Sequence, residues 1–472
     1  MTGTASRRSG FRHALAALAL VPAALAAGQT GTAPAPLFSS YDVINVRLTA
    51  PFNDLIEKGR VSDEPYEVLG TLGYGLPGAQ STIEGVKLTL RGHTSIAETE
   101  CSFPKLKIQF PHGARTDGSP FAGMTSLKIG THCGDSTDDT VTAKYGRLPN
   151  ELAPHREALV YRLLDALDVP TLKARPARIT YVFTDTRSGQ NGGKPLVRNA
   201  MLLENNESAV RRYGGDREVT ENDFTNAHEQ FTTADTAAAA FVEAMIGNFD
   251  WCLKVTPGDK YRCNARHPLW NIIAAAGAGR ARPIVYDFDV SGAVAGSHRW
   301  FADVYNDAFV ESRSHAAVEV VGQLQHMRTV FGRADLDAAR ARFNAKKAAA
   351  YAALDAGTVD VRGRENIRHY LDAFFEAIAS DDAFYRPAVI RATPAYASAA
   401  GGAQVCSAQG PVPVGTVVTE PRQTSGKMIE VVLLDTLWHW SPPVKCPAVH
   451  TGTVWIDSSA VSRDYPRAVG TQ

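Results

Sequence analysis

The chain has 472 residues, of which 44% are apolar and 21% charged, and its 49 basic residues are balanced by 49 acidic ones. This composition is typical of a soluble globular protein long enough for two or three domains. Because the chain carries no excess of positive charge, nothing in its composition indicates nucleic-acid binding.

Residues 1–26 have the features of a secretory signal peptide. A basic start precedes an apolar stretch too short to span a bilayer, and the Ala-Leu-Ala pattern at residues 24–26 predicts cleavage after it. The paired arginines at residues 7–8 leave twin-arginine and ordinary export both open. No other stretch reaches about 18 apolar residues. We therefore expect a periplasmic or secreted protein with no integral membrane segment.

The six cysteines, an even number in a chain predicted to be exported, favour disulfides. Six cysteines allow fifteen pairings, and zinc ligation by some of them is the weaker alternative. The sequence spacing groups the cysteines into three local pairs, which we predict as Cys101–Cys133, Cys252–Cys263 and Cys406–Cys446.

Residues 37–214 are predicted to form a β-rich N-terminal lobe. Between residues 37 and 145, four runs alternate or stay apolar between glycine-rich and polar breaks, which indicates strands. From about residue 150 the apolar period becomes helical: one stripe of a predicted helix ends before Pro170. The stripe consists of Val160, Leu163, Leu164 and Leu167, and Glu157 lies at its edge. Two further strand-like runs follow, separated by a glycine-rich turn.

Residues 215–384 are predicted to form a helical C-terminal lobe. Thr232 and Asp235 resemble a capping box at the start of one helix, which we expect to stop at Gly247. Further helices are predicted at about 315–328, 335–355 and 363–379.

Residues 388–465 contain short strand runs broken by glycine and proline, typical of a small β barrel. The closing pattern "GTVWIDSSAV" resembles that of bacterial SH3-like domains. Domains of this type mostly bind cell-wall components, peptides or protein partners. A purely structural appendage is the alternative.

Chemistry-bearing side chains cluster in the middle of the chain. Asp250 follows a predicted helix, Asn271 lies at the mouth of a short apolar strand, and Asp287 and Asp289 stand within the strand-like run "PIVYDFDVSG". On a strand, Asp287 and Asp289 would share one face and repel each other, unless water, a basic side chain or a metal ion offsets their charge. An Asp, an Asn and a second Asp in this order are typical of kinase-like phosphotransferases. There they orient the acceptor and hold the metal on the nucleotide phosphates.

Several stretches together resemble the CotH family of spore-coat-type atypical protein kinases, in its secreted Gram-negative form. They lie between residues 83 and 292, in the order "KLTLRGHTS", "CSFPKLKIQF", "SLKIGTHC", "PHREALVYRLLDAL", "RITYVFTD", "MLLENN", "IGNFDW" and "YDFDVSG". The resemblance implies an α+β, two-lobed atypical kinase-like fold that uses ATP and Mg²⁺ or Mn²⁺ to modify a protein substrate.

The resemblance also implies roles for individual residues. Asp250 would be the catalytic acidic residue, Asp287 the main metal ligand and Asn271 its helper, whereas Asp289 would either ligate the metal or support the loop.

A basic side chain should also meet the nucleotide phosphates and be held by an acidic one on the helix. Lys107 or Lys128 and Glu157 are the candidates; for each lysine the alternative is a solvated strand face. The whole protein could instead be a catalytically silent envelope or cell-surface protein, in which the SH3-like part binds the wall or a partner.

Overall fold

The computed structural model describes most of the chain. The described residues are 1, 32–75, 81–99, 101–113, 116–134, 141–142, 146–147, 151–185, 194–257, 268–296, 313–328, 330–405, 410–412, 414, 416–433 and 453–463. The chain divides into two compact units, Met1–Thr30 and Gly31–Gln472, and all of the first except Met1 lies outside these residues, as does nearly all of the predicted signal peptide. Within the described ranges, no helix is long and apolar enough to cross a membrane.

The second unit combines helices and strands, which confirms the expected α+β class. Its ten helices of α type within the described residues, numbered α1 to α10 in chain order, are Phe52–Val61, Ala153–Ala166, Asn206–Arg212, Ala227–Gln230, Thr233–Met245, Gly292–Ala295, Arg313–Met327, Arg333–Asp355, Val361–Ala377 and Asp381–Phe384.

Seven strands close into a barrel in the order β1-β2-β3-β4-β5-β9-β8, with β1 and β8 parallel and every other neighbouring pair antiparallel. These strands are β1 Ile44–Ala50, β2 Val68–Tyr74, β3 Ser81–Leu90, β4 Leu106–Gln109, β5 Ser126–Gly130, β8 Ala174–Phe183 and β9 Leu196–Leu203. The strand-like runs predicted in this part of the chain all contribute to the barrel. Alternate apolar residues such as Val46, Leu48 and Ala50 of β1 are buried inside it, as the period of two requires.

The remaining strands are short. They are β6 Val141–Thr142, β7 Gly146–Arg147, β10 Arg217–Val219, β11 Cys252–Leu253, β12 Leu269–Trp270, β13 Ile272–Ala276, β14 Arg282–Val285, β15 Ala388–Val389, β16 Gln423–Ser425, β17 Met428–Val431, β18 Val454–Asp457 and β19 Val461–Ser462. Helix α2 and most later helices pack with β10, β13 and β14 around one large apolar core.

The predicted helical stripe is confirmed, because Val160, Leu163, Leu164 and Leu167 are at most 1% exposed. The Thr232 hydroxyl accepts a hydrogen bond from the backbone N–H of Asp235 and begins α5. That helix ends at Met245, and Gly247 has a φ of +59° that favours glycine, as the prediction of a stop there required.

Beyond residue 388, the strands form the antiparallel sheet β16-β17-β18 and the pair β15-β19 around a third, smaller core. Cys101 and Cys133 are disulfide-bonded with their Cα atoms 4.6 Å apart, which confirms one predicted pair. Cys263, Cys406 and Cys446 lie outside the described residues, so the other two pairings remain predictions.

Candidate functional site

A cleft of about 680 Å³ lies between the barrel, whose strands β4 and β5 contribute Lys107 and Lys128, and the segments that carry Asp250, Asn271 and Asp287. Most of the residues proposed from the sequence line it: Lys107, Lys128, Asp250, Asn271, Asp287 and Asp289. Glu157 does not line the cleft, but lies buried behind Asp287 and Asp289. Residues that are up to about 180 positions apart in the sequence are therefore gathered at one place.

Two strand pairings explain why the acidic and amide groups meet. Strand β11 pairs with β12 so that Cys252 is opposite Trp270, which brings the preceding Asp250 beside Asn271. Strand β13 pairs with β14 so that Ile272 is opposite Val285. Asn271 precedes the start of β13 and Asp287 follows the end of β14, so the two residues lie at the same end of this strand pair.

Asp287 and Asn271 both have left-handed backbone conformations, with φ of +66° and +53°. Such conformations are uncommon for residues other than glycine, and they concentrate where a fold must aim a side chain. The conformation of Asp287 also shows why the sequence expectation for this segment was wrong. Strand β14 ends at Val285, so Asp287 and Asp289 belong to the loop that follows rather than to a strand face.

Lys105 supplies the positive charge that the two aspartates need. Its Nζ lies 2.8 Å from Oδ1 of Asp287 and 2.8 Å from Oδ2 of Asp289. Burial opposes the charge on Lys105, but the two carboxylates outweigh it, so the pKa of the ammonium is raised. Burial likewise opposes the charge on Asp287, yet Lys105 and Arg91 hold the pKa of that carboxyl below its usual value. The sequence pattern indicated lysines 107 and 128 but not Lys105, which directly precedes β4 and is buried.

Helix α2 holds the aspartate loop from behind. The backbone N–H of Asp287 donates to Oη of Tyr161 over 2.9 Å, and the N–H of Phe288 donates to Oε1 of Glu157 over 3.2 Å. The rings of Tyr161 and Phe288 pack with their centroids 4.8 Å apart. Burial, and then the neighbouring Asp289, raise the pKa of Glu157 to about 8. Glu157, the acidic residue expected on this helix, therefore binds the backbone of the aspartate loop and interacts electrostatically with Lys105.

Two neighbouring side chains hold the carboxylate of Asp250 in place. Its carboxylate accepts hydrogen bonds from Nε1 of Trp270 over 3.2 Å and from Nδ2 of Asn271 over 3.1 Å. Burial, and then the charges of Asp289 and Asp287, raise its pKa to about 6. A carboxylate with this pKa is ionised at neutral pH and yet basic enough to accept a proton from a bound group.

The barrel side of the cleft is basic. Strand pairing places Arg91 opposite Lys105 and Lys107 opposite Lys128, and all four residues line the cleft. Nζ of Lys128 donates to Oδ1 of Asn206 and lies 5.4 Å from the ring centre of Tyr286. Burial, and then the positive charge of Arg91, lower the pKa of Lys128 to about 7.

The donor set suits a hard divalent cation, because carboxylate and amide oxygens are the ligands that Mg²⁺ and Mn²⁺ prefer. Asp287, Asp289 and the amide oxygen of Asn271 would hold such an ion, with Asp250 adjacent. In the part of the chain that the structure describes, however, no three histidine, cysteine or acidic side chains converge as a ligand group. The carboxylates of Asp287 and Asp289 bind the Lys105 ammonium instead.

No protein-family model matches the chain, and no curated protein matches it significantly.

Proposed function

We propose that the cleft binds ATP with Mg²⁺ or Mn²⁺ and transfers a phosphoryl or nucleotidyl group to a protein acceptor. In this proposal the barrel and the helical part are the two lobes of an atypical kinase-like fold of the CotH type. The strongest support is the convergence of Lys105, Asp287, Asp289 and Asp250 in one cleft, with Glu157 and Tyr161 holding the aspartate loop from behind. Groups of these types, so arranged, serve phosphoryl transfer.

The chain's own residues would divide the work. Asp287, Asp289 and Asn271 would bind the divalent ion, which when present neutralises charge on the phosphates. Lys105 would move from the aspartates to a phosphate oxygen. Asp250, with a pKa of about 6, would accept the proton of the acceptor hydroxyl at its carboxylate.

Other features extend the proposal beyond the cleft. Export to the periplasm or the exterior would follow from the predicted signal peptide, and the region from residue 388 would bind a cell-wall component or an envelope partner as an SH3-like domain. The disulfide Cys101–Cys133 fits an oxidising compartment.

One observation favours a second candidate, a catalytically silent envelope protein that uses the kinase-like part as a scaffold. Nζ of Lys105 already binds one oxygen of Asp287 and one of Asp289 at 2.8 Å, so both aspartates have a cationic partner in the described structure without a metal ion.

Labelled nucleotide distinguishes these possibilities. The purified protein is incubated with a generic protein acceptor, Mn²⁺ and ATP labelled at either the γ or the α phosphate. Incorporation of γ label supports phosphoryl transfer and incorporation of α label supports nucleotidyl transfer, and either must vanish with a chelator and in Asp250→Asn. If neither label is incorporated and nucleotide with metal does not raise the melting temperature, the scaffold hypothesis is favoured.

A further inference from the structure

The basic side of the cleft contains three cations, Arg91, Lys107 and Lys128. Among the residues that the structure describes, no carboxylate forms an ion pair with Arg91, Lys107 or Lys128. Glu207, Glu218 and Glu221 also line the cleft. Glu218 accepts a hydrogen bond from Nδ2 of Asn206, whose Oδ1 accepts one from Lys128, so these two charges are linked through the amide. By contrast, both aspartates on the opposite side form an ion pair with Lys105.

Arg91 has a buried polar atom on this side of the cleft. Its Nε is buried and has no hydrogen-bond partner within the described structure. The backbone N–H of Arg91 donates to the carbonyl oxygen of Lys105 over 2.9 Å. This hydrogen bond holds Arg91, which directly follows β3, next to Lys105. A buried guanidinium nitrogen without an acceptor is unfavourable, so the geometry is suited to a ligand that brings oxygen acceptors.

The direct strand pairing of Lys107 with Lys128 adds to this. Like charges opposite each other on neighbouring strands repel, and the proximity of Arg91 to Lys128 increases the repulsion. A polyanion in the cleft would reduce the repulsion between Lys107 and Lys128 and between Arg91 and Lys128. The guanidinium of Arg91 can bind two phosphate oxygens at once.

We propose that Arg91, Lys107 and Lys128 form a polyphosphate-binding subsite that works without a metal ion. The subsite deepens the proposed function and rests on it for the natural ligand, which is the polyphosphate chain of a nucleotide. In this arrangement, the basic wall anchors the phosphates, and the acidic wall of Asp287 and Asp289 recruits the divalent ion.

Binding of inorganic tripolyphosphate in the presence of EDTA tests the subsite. Tripolyphosphate lacks the nucleoside of ATP, and EDTA removes divalent metal ions. Calorimetry of the full chain at low salt and pH 6.5, where Lys128 is charged, should give binding at one site per chain. Arg91→Gln and Lys128→Met should each weaken it about tenfold or more, whereas Arg47→Gln, which changes an exposed arginine on β1, should leave it unchanged.

Three outcomes would overturn the subsite: no binding in EDTA, equal weakening by Arg47→Gln, or binding unaffected by Arg91→Gln in a variant that melts like the wild type. If Arg91→Gln fails to fold, Arg91→Lys, which keeps the charge but loses the fork of donors, must still bind measurably more weakly. The two proposals fail separately. Tripolyphosphate binding without transfer of label from ATP retains the subsite and rejects the enzyme, whereas Asp250-dependent transfer without a role for Arg91 does the reverse.

Discussion

The ammonium of Lys105 lies 2.8 Å from a carboxylate oxygen of Asp287, although the two residues are 182 positions apart in the sequence. The same ammonium reaches Asp289, and the pair lies in a largely buried setting where the side chain of Lys105 is 10% exposed. A divalent ion at Asp287 would have to compete with this cation. The occupancy of the aspartates by lysine or by metal is therefore the property on which activity would depend.

Lys105→Met should make the site bind metal more tightly in the absence of nucleotide. Without the ammonium, Asp287 and Asp289 lose their counter-charge, and we expect the affinity for Mn²⁺ alone to rise about tenfold while the affinity for ATP falls. Calorimetric titration with Mn²⁺ measures the effect. Lys87→Met, which removes an exposed lysine paired with Glu67, is the matched control and should change neither affinity. Unchanged or weaker Mn²⁺ binding in a folded Lys105→Met protein would contradict the account.

Tyr161→Phe should destabilise the protein by about 1–3 kcal/mol, because the backbone N–H of Asp287 loses its buried acceptor. Tyr181 is an equally buried tyrosine of the barrel core, but its hydroxyl has no hydrogen-bond partner within the described structure. Tyr181→Phe should therefore be neutral or slightly stabilising. Urea unfolding of the two variants measures the difference, and equal losses of stability would show that the Tyr161 hydroxyl does not support the aspartate loop.

Much of the fold could be predicted from apolar periodicity. The barrel strands and the helices α2, α5 and α9 follow their patterns closely, because each buries one regular face against a core. The arrangement of the site was less accessible. Lys105 lies two positions before Lys107, but only the packing of the barrel against the loop after β14 brings Lys105 to Asp287.

The alternation of apolar residues also failed to predict where β14 ends. The run through Tyr286 and Phe288 continues to alternate like a strand, and the left-handed conformation of Asp287 is what breaks it. That conformation is set by Tyr161 and Glu157, which lie on a distant helix and are not part of the local sequence. A local pattern cannot report such a tertiary constraint.

The ion pair between Arg156 and Asp360 should be essential to the position of α2. Nε and Nη2 of Arg156 each lie 2.9 Å from an oxygen of Asp360, and the arginine side chain is 1% exposed. Asp360→Ala would remove the carboxylate that both Nε and Nη2 of this buried arginine bind, so we expect a loss of about 3–5 kcal/mol.

The control for this variant is Asp355→Ala, which breaks the exposed pair with Arg368 and should cost about 0–1 kcal/mol. Chemical denaturation gives both values. Because α2 carries Glu157 and Tyr161, Asp360→Ala should also reduce the rise in melting temperature caused by nucleotide and Mn²⁺. If nucleotide and Mn²⁺ raise the melting temperature of Asp360→Ala as much as that of the wild type, the position of α2 does not affect ligand binding in the cleft.

Asp250 should make stability depend on pH. Its pKa is raised from 3.8 to about 6, so between these values the folded protein holds a proton that the unfolded chain has released. The slope that Asp250 contributes is therefore a fall in stability as the pH rises from about 4 to about 6, with a cost that persists above pH 6, whereas carboxyls with a lowered pKa, such as Asp165, contribute with the opposite sign. Asp250→Asn should flatten this slope, whereas Asp63→Asn at an exposed position should not. A slope unchanged in Asp250→Asn, measured by denaturation across this pH range, would refute the assignment.

The most direct test of the central claim is a crystal structure of the protein with a non-hydrolysable ATP analogue and Mn²⁺, which locates the metal by its anomalous scattering. We expect a Mn²⁺ peak bound by Asp287, with the Lys105 ammonium moved from the aspartates to a phosphate oxygen. If the cleft contains no manganese under saturating conditions and Lys105 still bridges Asp287 and Asp289, the claim that this cleft is a metal–nucleotide site is wrong.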